Sequence, residues 1–483
     1  MINFLKQLEG FGQNPFFLKG EDIFSYEELR KAVENASIRL KKAGVLRGQY
    51  VPILMEASLE YLTALLAVFT VGACAVPLDI VSMTENEICD VVKSLEAHLV
   101  ITAPDYSMKA GRAAEDIVKL DWRSLSEEAS QNKINIQSMD DLPPDSEALI
   151  LFSSGSNGRP KGVVRSYRAV SAQIKALSKA YSIGTEDLML CTARPQHSYG
   201  LENVLAALYG GAAICFQNAS EYNLIREKLA DSGVTVFAGV PIIYEILAKI
   251  RKRPVENSRL RLALSAGAPL SEEINRDFEK TYKIPVTQVY GSSEAPSCTA
   301  NLKVASNREY LSVGQPIPGV EIKILNEGGE ELPADTVGEL WVKSPFASHC
   351  YLNQPELTKT HFAGKWYRTG DLGYRSEDGL LFLCGKIKSM INVAGNKVNP
   401  EEVEALLSTY PGVKDVLVSG IPDKVYGEMV KAVVVAEEGV VITEVELLKF
   451  CQGKVADFKV PRVIEYSTCL ERTATGKLKR EKM

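Results

Sequence analysis

From residue 148 onward, the sequence alternates short apolar runs with segments of helical periodicity. The apolar runs are ALILF (148–152), LMLCTA (188–193), AAICFQ (212–217), VTVFAG (234–239), LRLALSAG (260–267) and VTQVYG (286–291). Helical stretches lie between most of them, and after the first run Val170, Ile174 and Leu177 fall on one helix face. This alternation predicts an open, mostly parallel sheet with helices on both faces. Ligands of such sheets bind at the carboxyl ends of strands.

The pattern changes beyond about residue 310, where shorter strands and hairpin turns such as Asp378-Gly379 appear. A further unit begins near residue 388, with a helix after Pro400 and a capping box formed by Thr443 and Glu446. We therefore predict an α/β protein whose N-terminal domain, 1–387, has open mostly parallel sheets and a β-rich subdomain. A small α+β C-terminal domain, 388–483, would follow after a hinge.

Composition narrows the class of function. The 483 residues carry a net charge of −6 and no lysine–arginine block, which argues against nucleic-acid binding. Nine cysteines are scattered without C-x-x-C spacing, a distribution typical of a reducing compartment rather than of disulfides or a zinc site. The N-terminal residues have no apolar segment typical of a secretory signal, so we expect a cytoplasmic protein.

The uncharged stretch YLTALLAVFTVGACAVPL (61–78) reaches the length of a marginal transmembrane helix. Gly72 and Pro77 interrupt it, and both residues disfavour a continuous helix. We interpret the stretch as a buried helix that ends near Gly72, followed by a buried strand. No membrane span is predicted.

The segment SSGSNGRPKG (153–162) follows the first apolar run directly. Glycines allow several main-chain N–H groups to point at one phosphate, and Lys161 adds a positive charge. A surface turn has the same composition, so the segment alone leaves both interpretations open. A Walker A loop is excluded, because a count from Gly155 places Pro160 where its second glycine is required.

This segment resembles the signature of the adenylate-forming (AMP-forming) synthetases, which include acyl- and aryl-CoA ligases, luciferase and nonribosomal adenylation domains. Five further segments resemble motifs of that superfamily in the same order. They are SAGAPL (265–270), VYGSSEA (289–295), YRTGDLG (367–373), GKIKSMINVAGNKVNPEEVE (385–404) and TATGKLKR (473–480).

The resemblance implies an activity that requires ATP and Mg²⁺. A carboxylic acid is joined to AMP with release of pyrophosphate, and the acyl group is then transferred to a thiol, most often that of coenzyme A. Two alternatives stay open: a stand-alone adenylation enzyme that loads the phosphopantetheine of a carrier protein, and a nucleotide-binding regulatory protein without turnover. A luciferase-like oxygenase would share the first step only.

The resemblance also implies the nucleotide contacts. The phosphates would be bound by Ser153, Ser154, Gly155, Ser156, Asn157, Gly158 and Lys161. The adenine side would be formed by Gly267, Ala268, Pro269, Tyr290, Gly291, Ser292 and Ser293. Glu294 would hold Mg²⁺ with the help of Ser154, and Asp371 with Lys386 would bind the ribose.

Three further roles follow from the resemblance. Lys477 would bridge the carboxylate and the α-phosphate, and with Glu294 and Lys161 it forms the implied catalytic set. In isolation, KLKREK (477–482) is typical of a solvated basic tail. Lys388 occupies the hinge position, and Gly395 would line the thiol tunnel.

The acid would contact His197, Gly239, Gly267 and Gly291. Amino-acid-activating relatives carry an aspartate near the position of His197, which this chain lacks, so we expect an uncharged or aromatic acid. Glu202 is a nearby acidic residue, so a substrate that carries an amine is not excluded. The chain departs from the common motifs at Lys386, where arginine is usual, and also at Lys388, Asn392 and Ser156-Asn157. Because a lysine lacks the bidentate fork of arginine, Lys386 weakens the expected ribose contact.

Overall fold

The computed structural model describes residues 4–97, 99–104, 116–120, 142–153, 160–231, 233–250, 255, 258–307, 309–394, 396–423 and 426–472. The helices in these residues are α1 Phe4–Glu9, α2 Tyr26–Lys42, α3 Leu59–Val71, α4 Glu85–Ser94, α5 Tyr167–Ala180, α6 Ser198–Gly210, α7 Tyr222–Asp231, α8 Pro241–Ile250, α9 Glu272–Tyr282, α10 Val304–Asn307, α11 Pro355–His361, α12 Pro400–Ser408 and α13 Glu444–Cys451.

The strands in the same residues are β1 Pro15–Lys19, β2 Asp22–Ser25, β3 Tyr50–Leu54, β4 Cys74–Pro77, β5 Leu99–Thr102, β6 Asp116–Lys119, β7 Glu147–Ser153, β8 Lys161–Ser166, β9 Leu188–Cys191, β10 Ala213–Phe216, β11 Val236–Gly239, β12 Leu262–Ser265, β13 Val286–Tyr290, β14 Thr299–Ala300, β15 Gln315–Pro316, β16 Glu321–Leu325, β17 Gly338–Lys343, β18 Cys350–Tyr351, β19 Phe362–Ala363, β20 Trp366–Arg375, β21 Leu381–Lys386, β22 Ile391–Val393, β23 Asn396–Val398, β24 Val413–Asp423, β25 Gly427–Ala436 and β26 Val463–Tyr466.

The chain divides into two compact units. The first comprises Met1–Glu321 and Val342–Tyr367, and the second comprises Ile322–Trp341 and Arg368–Met483. The hinge predicted at 387/388 falls within the residue range of the second unit, and that domain boundary stays a prediction.

Two large sheets form the first unit. One has nine strands in the order β15-β14-β13-β12-β11-β9-β10-β1-β2, and the other has seven in the order β18-β8-β7-β4-β3-β5-β6. The pairs from β13 to β10 and from β4 to β6 are parallel, which confirms the predicted sheet type. The glycine-rich segment differs from the expected strand–loop–helix order, because β8 returns antiparallel to β7 before α5 begins.

Helices from the two sheets face each other. Helices α2 and α6 contact the nine-stranded sheet, α3 and α5 contact the seven-stranded sheet, and α2 packs on α3 as α5 does on α6. Buried tyrosines bond between these elements: the Tyr26 hydroxyl donates to the Ala212 carbonyl at 2.7 Å, and the Tyr61 hydroxyl of α3 donates to the Pro195 carbonyl at 2.6 Å. Gln173 of α5 and Glu202 of α6 are almost fully buried, so the interface between these two helices lies inside the unit.

The apolar stretch 61–78 forms the predicted buried helix and strand. Helix α3 ends at Gly72, whose φ of 79° is left-handed, and β4 follows in the sheet. A side chain at this position would also collide with Leu142, because an ideal Cβ would lie 2.8 Å from its Cδ1. Within the described residues, no helix has both the length and the apolarity needed to cross a bilayer.

The second unit contains two smaller sheets. Five strands, β16, β17, β19, β20 and β21, form one, in which Arg375 and Leu381 close the predicted hairpin around Asp378-Gly379. Strands β23-β22-β25-β24, with β26 beside β25, form the other. Helices α12 and α13 share an apolar core with it, and the Thr443–Glu446 capping box is present. These elements agree with the predicted β-rich and α+β regions.

Candidate active site

Neighbouring parallel strands bring several predicted site residues to one edge of the nine-stranded sheet. Gly239, at the end of β11, lies beside Ser265 of β12, which in turn lies beside Gln288 of β13. The chain segments at or just beyond the ends of β9, β11, β12 and β13 carry the predicted site residues. These are His197, Gly239, Gly267, Ala268, Pro269 and 290–294. Side chains from separate parts of the sequence therefore converge where a parallel sheet binds ligands.

Two of the predicted glycines have backbone roles at this edge. Gly267 has a φ of 96° with open space around it, so it provides a left-handed turn beside Ala268 and Pro269. At Gly291 an ideal Cβ would lie 2.3 Å from the Ser297 nitrogen, so this position has no room for a side chain. The backbone of 290–298 therefore folds tightly on itself.

Serine side chains and main-chain bonds hold this turn. The Ser292 hydroxyl accepts from the Ala295 N–H at 3.1 Å, and the Cys298 N–H donates to the Tyr290 carbonyl at 2.7 Å. Ser293 and Glu294 are half-buried, so both side chains have access to the edge. Tyr290 is buried at the strand end.

Tyr351 links the predicted phosphate lysine to the predicted magnesium ligand. Strand β18 pairs with β8, so Tyr351 lies opposite Val163 and its hydroxyl donates to Glu294 Oε1 at 2.8 Å. The Lys161 ammonium lies 5.4 Å from the centre of the Tyr351 ring, within range of a cation–π interaction. Burial, together with the charge of Glu294, raises the pKa of the Tyr351 phenol, which keeps it a neutral donor.

His197 is held by a buried aspartate. Its Nε2 lies 2.9 Å from Asp79 Oδ2, and the same oxygen accepts from Arg194 at 2.9 Å and from the Ser82 hydroxyl at 2.6 Å. Burial alone would raise the pKa of Asp79, but hydrogen bonds from His197 and Ser82 and the charge of Arg194 lower it below its ordinary value. Asp79 is therefore a charged anchor that orients His197 at the start of α6.

The predicted ribose residues meet in the second unit. Asp371 of β20 lies opposite Lys386 of β21, and the Lys386 ammonium is bonded to the Asp371 carboxylate. The Asp371 N–H donates to the Thr369 hydroxyl at 2.9 Å, which fixes the turn around it. Lys388 is exposed in a short 3₁₀ turn between β21 and β22.

Several predicted residues lie outside the described residues. These are Ser154, Gly155, Ser156, Asn157, Gly158, Gly395 and Lys477. For Ser153 only the backbone, at the end of β7, is described. Their roles stay predictions.

The sequence of the whole chain also matches known proteins. A family model described as AMP-binding enzyme matches residues 4–352, and one described as AMP-binding enzyme C-terminal domain matches residues 402–477. The chain belongs to the AMP-binding enzyme family. This assignment confirms the resemblance to the adenylate-forming synthetases.

Individual members of the family are similar over nearly the full length. An oxalate–CoA ligase of Arabidopsis thaliana is 30% identical over 481 residues, which cover 96% of this chain and 93% of the relative. The ATP-bound crystal structure of MatB from Rhodopseudomonas palustris is 27% identical, with a TM-score of 0.90 over 99% and 97% of the two chains. The Bacillus subtilis o-succinylbenzoate CoA synthetase MenE, in complex with its acyl-adenylate intermediate, is 25% identical, with a TM-score of 0.86 over 99% and 97%.

This AMP-binding enzyme is thus an AMP-forming acid–thiol ligase. It uses ATP to convert a carboxylic acid into an acyl-adenylate and then transfers the acyl group to a thiol. The two-domain α/β fold expected from the sequence is the fold of these neighbours.

Sequence reasoning missed two residues of the site. Asp79 lies two residues after Pro77, the last residue of β4, and a polar residue just beyond a parallel strand end is a signal for a site candidate. Tyr351 carried no comparable signal, because its contacts with Lys161 and Glu294 arise only when β18 pairs with β8. Both residues orient a predicted site residue, and only the contacts of Tyr351 required the three-dimensional structure to be recognised.

Replacing the Asp79 carboxylate with an amide tests whether it positions His197. We expect Asp79→Asn to raise the KM for the acid roughly tenfold, because a charge-assisted hydrogen bond contributes about 1.5–3 kcal/mol. The KM for ATP should change little. Steady-state pyrophosphate release at varied acid and ATP concentrations measures both constants, and Ser82→Ala, which removes another donor to Asp79, is the control. An unchanged KM for the acid in Asp79→Asn would contradict this role.

Proposed function

We propose that this enzyme is an acyl-CoA synthetase that uses MgATP. The carboxylate oxygen of the acid attacks the α-phosphorus of ATP, the bond to the β-phosphate oxygen breaks, and pyrophosphate leaves. The thiol of coenzyme A then attacks the acyl carbon, AMP leaves, and the thiol proton is lost to solvent. The names of the relatives that are CoA ligases support coenzyme A as the acceptor.

One observation carries the proposal: Lys161 and Glu294 both contact Tyr351, the lysine over its ring and the carboxylate at its hydroxyl. The first reaction brings a carboxylate close to a polyphosphate, and two like charges about 4 Å apart repel by roughly 4 kcal/mol at an effective dielectric constant near 20. Cationic groups that are held in place before the reaction lower this barrier most. A lysine on the β8–β18 strand pair and a carboxylate held by Tyr351 of the same pair supply that arrangement.

Glu294 fits the magnesium ion that the family implies. Mg²⁺ prefers oxygen ligands and often uses one or two carboxylates together with substrate phosphates. Glu294 is half-buried and is oriented through one oxygen by Tyr351, with Ser154 as the second proposed ligand. When bound, the ion would neutralise part of the negative charge of the phosphates.

The remaining residues complete the proposed nucleotide site. The segment 153–158 would surround the β- and γ-phosphates, 267–269 and 290–293 would contact the adenine side, and Asp371 would accept from the ribose hydroxyls. Because Lys386 already neutralises Asp371, we expect it to order that carboxylate rather than to bind the ribose in the manner of an arginine. Lys477 would stabilise the α-phosphate, Lys388 would act as the pivot, and Gly395 would line the thiol tunnel.

The acid itself is not decided by the relatives. Oxalate and o-succinylbenzoate, the acids in the relatives' names, both carry two carboxyl groups but differ greatly in size. The substrate class therefore has to be inferred from the residues of this chain.

Pyrophosphate release from a panel of carboxylic acids tests the proposed function. We expect acid-dependent release with ATP and Mg²⁺, and acid-, ATP- and coenzyme A-dependent formation of a thioester detected by mass spectrometry. Release without thioester formation on coenzyme A, together with loading of a phosphopantetheinylated carrier protein, would favour the carrier-loading alternative. ATP binding without release for any acid would favour the regulatory alternative.

A further inference from the structure

A charged cluster is buried between helices α5 and α6, where an apolar core would be expected. Its members, which we call the buried polar cluster, are Arg165 of β8, Gln173 of α5, Glu202 of α6 and Ser297 in the turn before β14. None of them is more than 3% exposed. Burying charges in this way costs free energy, so such groups are usually paired or functional.

The hydrogen bonds of the cluster occupy both oxygens of Glu202. Arg165 Nη2 donates to Gln173 Oε1 at 2.6 Å. Gln173 Nε2 donates to one carboxylate oxygen of Glu202, and the Ser297 hydroxyl donates to the other. The arginine and the glutamate are thus joined through an amide rather than by a direct ion pair.

Donors of the cluster and of a side chain that faces it lack an acceptor. Arg165 Nε and the hydroxyl of Tyr199, which faces Glu202, are buried, and neither has a hydrogen-bond partner among the described residues. Native structures rarely leave buried donors unpaired. Tyr199 as a whole is only half-buried, although its hydroxyl is enclosed. A ligand that brings acceptor oxygens would satisfy these groups.

The cluster borders the residues proposed to bind the acid. Ser297 packs against Gly291, whose missing side chain allows the contact, and Glu202 lies in the first turns of α6, whose N-cap residue is His197. The backbone of Ser297 is left-handed, with a φ of 28°, a conformation that a non-glycine residue rarely adopts and that strained functional sites retain. The cluster therefore lies next to the proposed acid pocket.

The charges around the buried polar cluster favour an anionic ligand group over a cationic one. The ionisable groups facing Glu202 are Arg165, Tyr181, Tyr199 and Cys298. Burial raises the pKa of Glu202 to about 8, although Ser297, Arg165 and Gln173 oppose the shift, whereas burial lowers the pKa of Arg165 only to about 10. An incoming carboxylate can therefore be balanced by protonation of Glu202, while an ammonium group would face a cation that stays charged.

We propose that the buried polar cluster closes the acid pocket and selects dicarboxylic acids, with Arg165 and the Tyr199 hydroxyl binding the carboxylate that does not react. The inference rests on the proposed function and names its substrate class. It replaces the uncharged or aromatic acid expected from the sequence, because that expectation took account only of a missing aspartate near His197.

Pairs of acids of equal chain length test the proposal in the full-length enzyme. We expect kcat/KM for pyrophosphate release to be at least tenfold higher with the best of succinate, glutarate and adipate than with butyrate, pentanoate or hexanoate. In Arg165→Leu, the ratio between diacid and monoacid should fall roughly 10- to 100-fold, the effect of one hydrogen bond to a charged group. Arg168→Leu is the matched control, because Arg168 is exposed and pairs with Asp145.

Glu202→Gln provides a second readout that a purely structural cluster would not change. Because burial raises the pKa of Glu202 to about 8 and a bound dicarboxylate favours the neutral form, the wild-type KM for the diacid should rise as the pH increases through this range. The glutamine variant should keep the diacid preference and lose this rise.

The possible outcomes separate the two proposals. A wild-type enzyme that prefers the monoacids would overturn the dicarboxylate proposal even if Arg165→Leu failed to fold. An unchanged diacid-to-monoacid ratio in folded Arg165→Leu would do the same. The absence of pyrophosphate release with every acid would instead contradict the proposed function.

Discussion

Lys477→Ala should lower the rate of acid-dependent pyrophosphate release by roughly 10²–10³-fold, the typical effect of removing one donor that stabilises a transition state. The lysine is proposed to bridge the attacking carboxylate and the α-phosphate, where negative charge accumulates only during adenylation. ATP binding should therefore remain nearly unchanged. Single-turnover pyrophosphate release and equilibrium titration with a fluorescent ATP analogue measure the two effects separately.

Lys479→Ala is the matched control for this experiment, because it removes an equal charge two residues away in the same basic segment. It should retain nearly the full rate. When the acyl-adenylate is supplied directly, Lys477→Ala should still form the thioester at a nearly normal rate, since that step needs no attack on the α-phosphate. Undiminished pyrophosphate release in Lys477→Ala would remove this residue from the proposed mechanism.

Glu294→Gln should lower kcat/KM for MgATP by about 100-fold or more, because it removes the carboxylate charge proposed to hold the metal while keeping the side-chain shape. The Mg²⁺ concentration that gives half-maximal activity should rise in the same variant. Initial rates at varied MgATP with Mg²⁺ in excess give kcat/KM, and rates over a range of Mg²⁺ at fixed ATP give the half-maximal Mg²⁺ concentration.

Tyr351→Phe separates orientation of Glu294 from its charge. This change removes one hydrogen bond to a carboxylate and leaves the ring beneath Lys161. We therefore expect kcat/KM for MgATP to fall about tenfold. The Mg²⁺ requirement should change less than in Glu294→Gln. If Glu294→Gln required no more Mg²⁺ than the wild type, the carboxylate would not be a metal ligand.

Much of the fold follows from local rules in the sequence. Apolar runs marked the strands β7 and β9–β13, Gly72 marked the end of α3, and Thr443 with Glu446 marked the start of α13. Each signal acts within a few residues, through side-chain periodicity, a left-handed turn or a capping hydrogen bond. The return strand β8 was not predicted, because KGVVRS (161–166) gains its strand geometry from pairing with β7 on one side and β18 on the other.

The candidate site was predictable where it follows strand ends and motifs, and unpredictable where it depends on distant contacts. Asp79 reaches His197 across 118 positions of sequence, and Tyr351 reaches Glu294 across 57. The sequence alone indicates Glu202 only as an acidic residue able to bind an amine. Its actual partners come from α5 and from the turn before β14.

Sequence alone determined the family, the chemistry expected of it and the order of strands and helices, because motifs and periodicity are properties of neighbouring residues. Tertiary structure alone decided how His197 and Glu294 are oriented and that Arg165, Gln173, Glu202 and Ser297 share one buried place. The physical reason is that packing two sheets around a common helical layer removes water from side chains far apart in the chain. A charge in that layer must find its partner there, and the substrate's second carboxylate is the partner that we propose for Arg165.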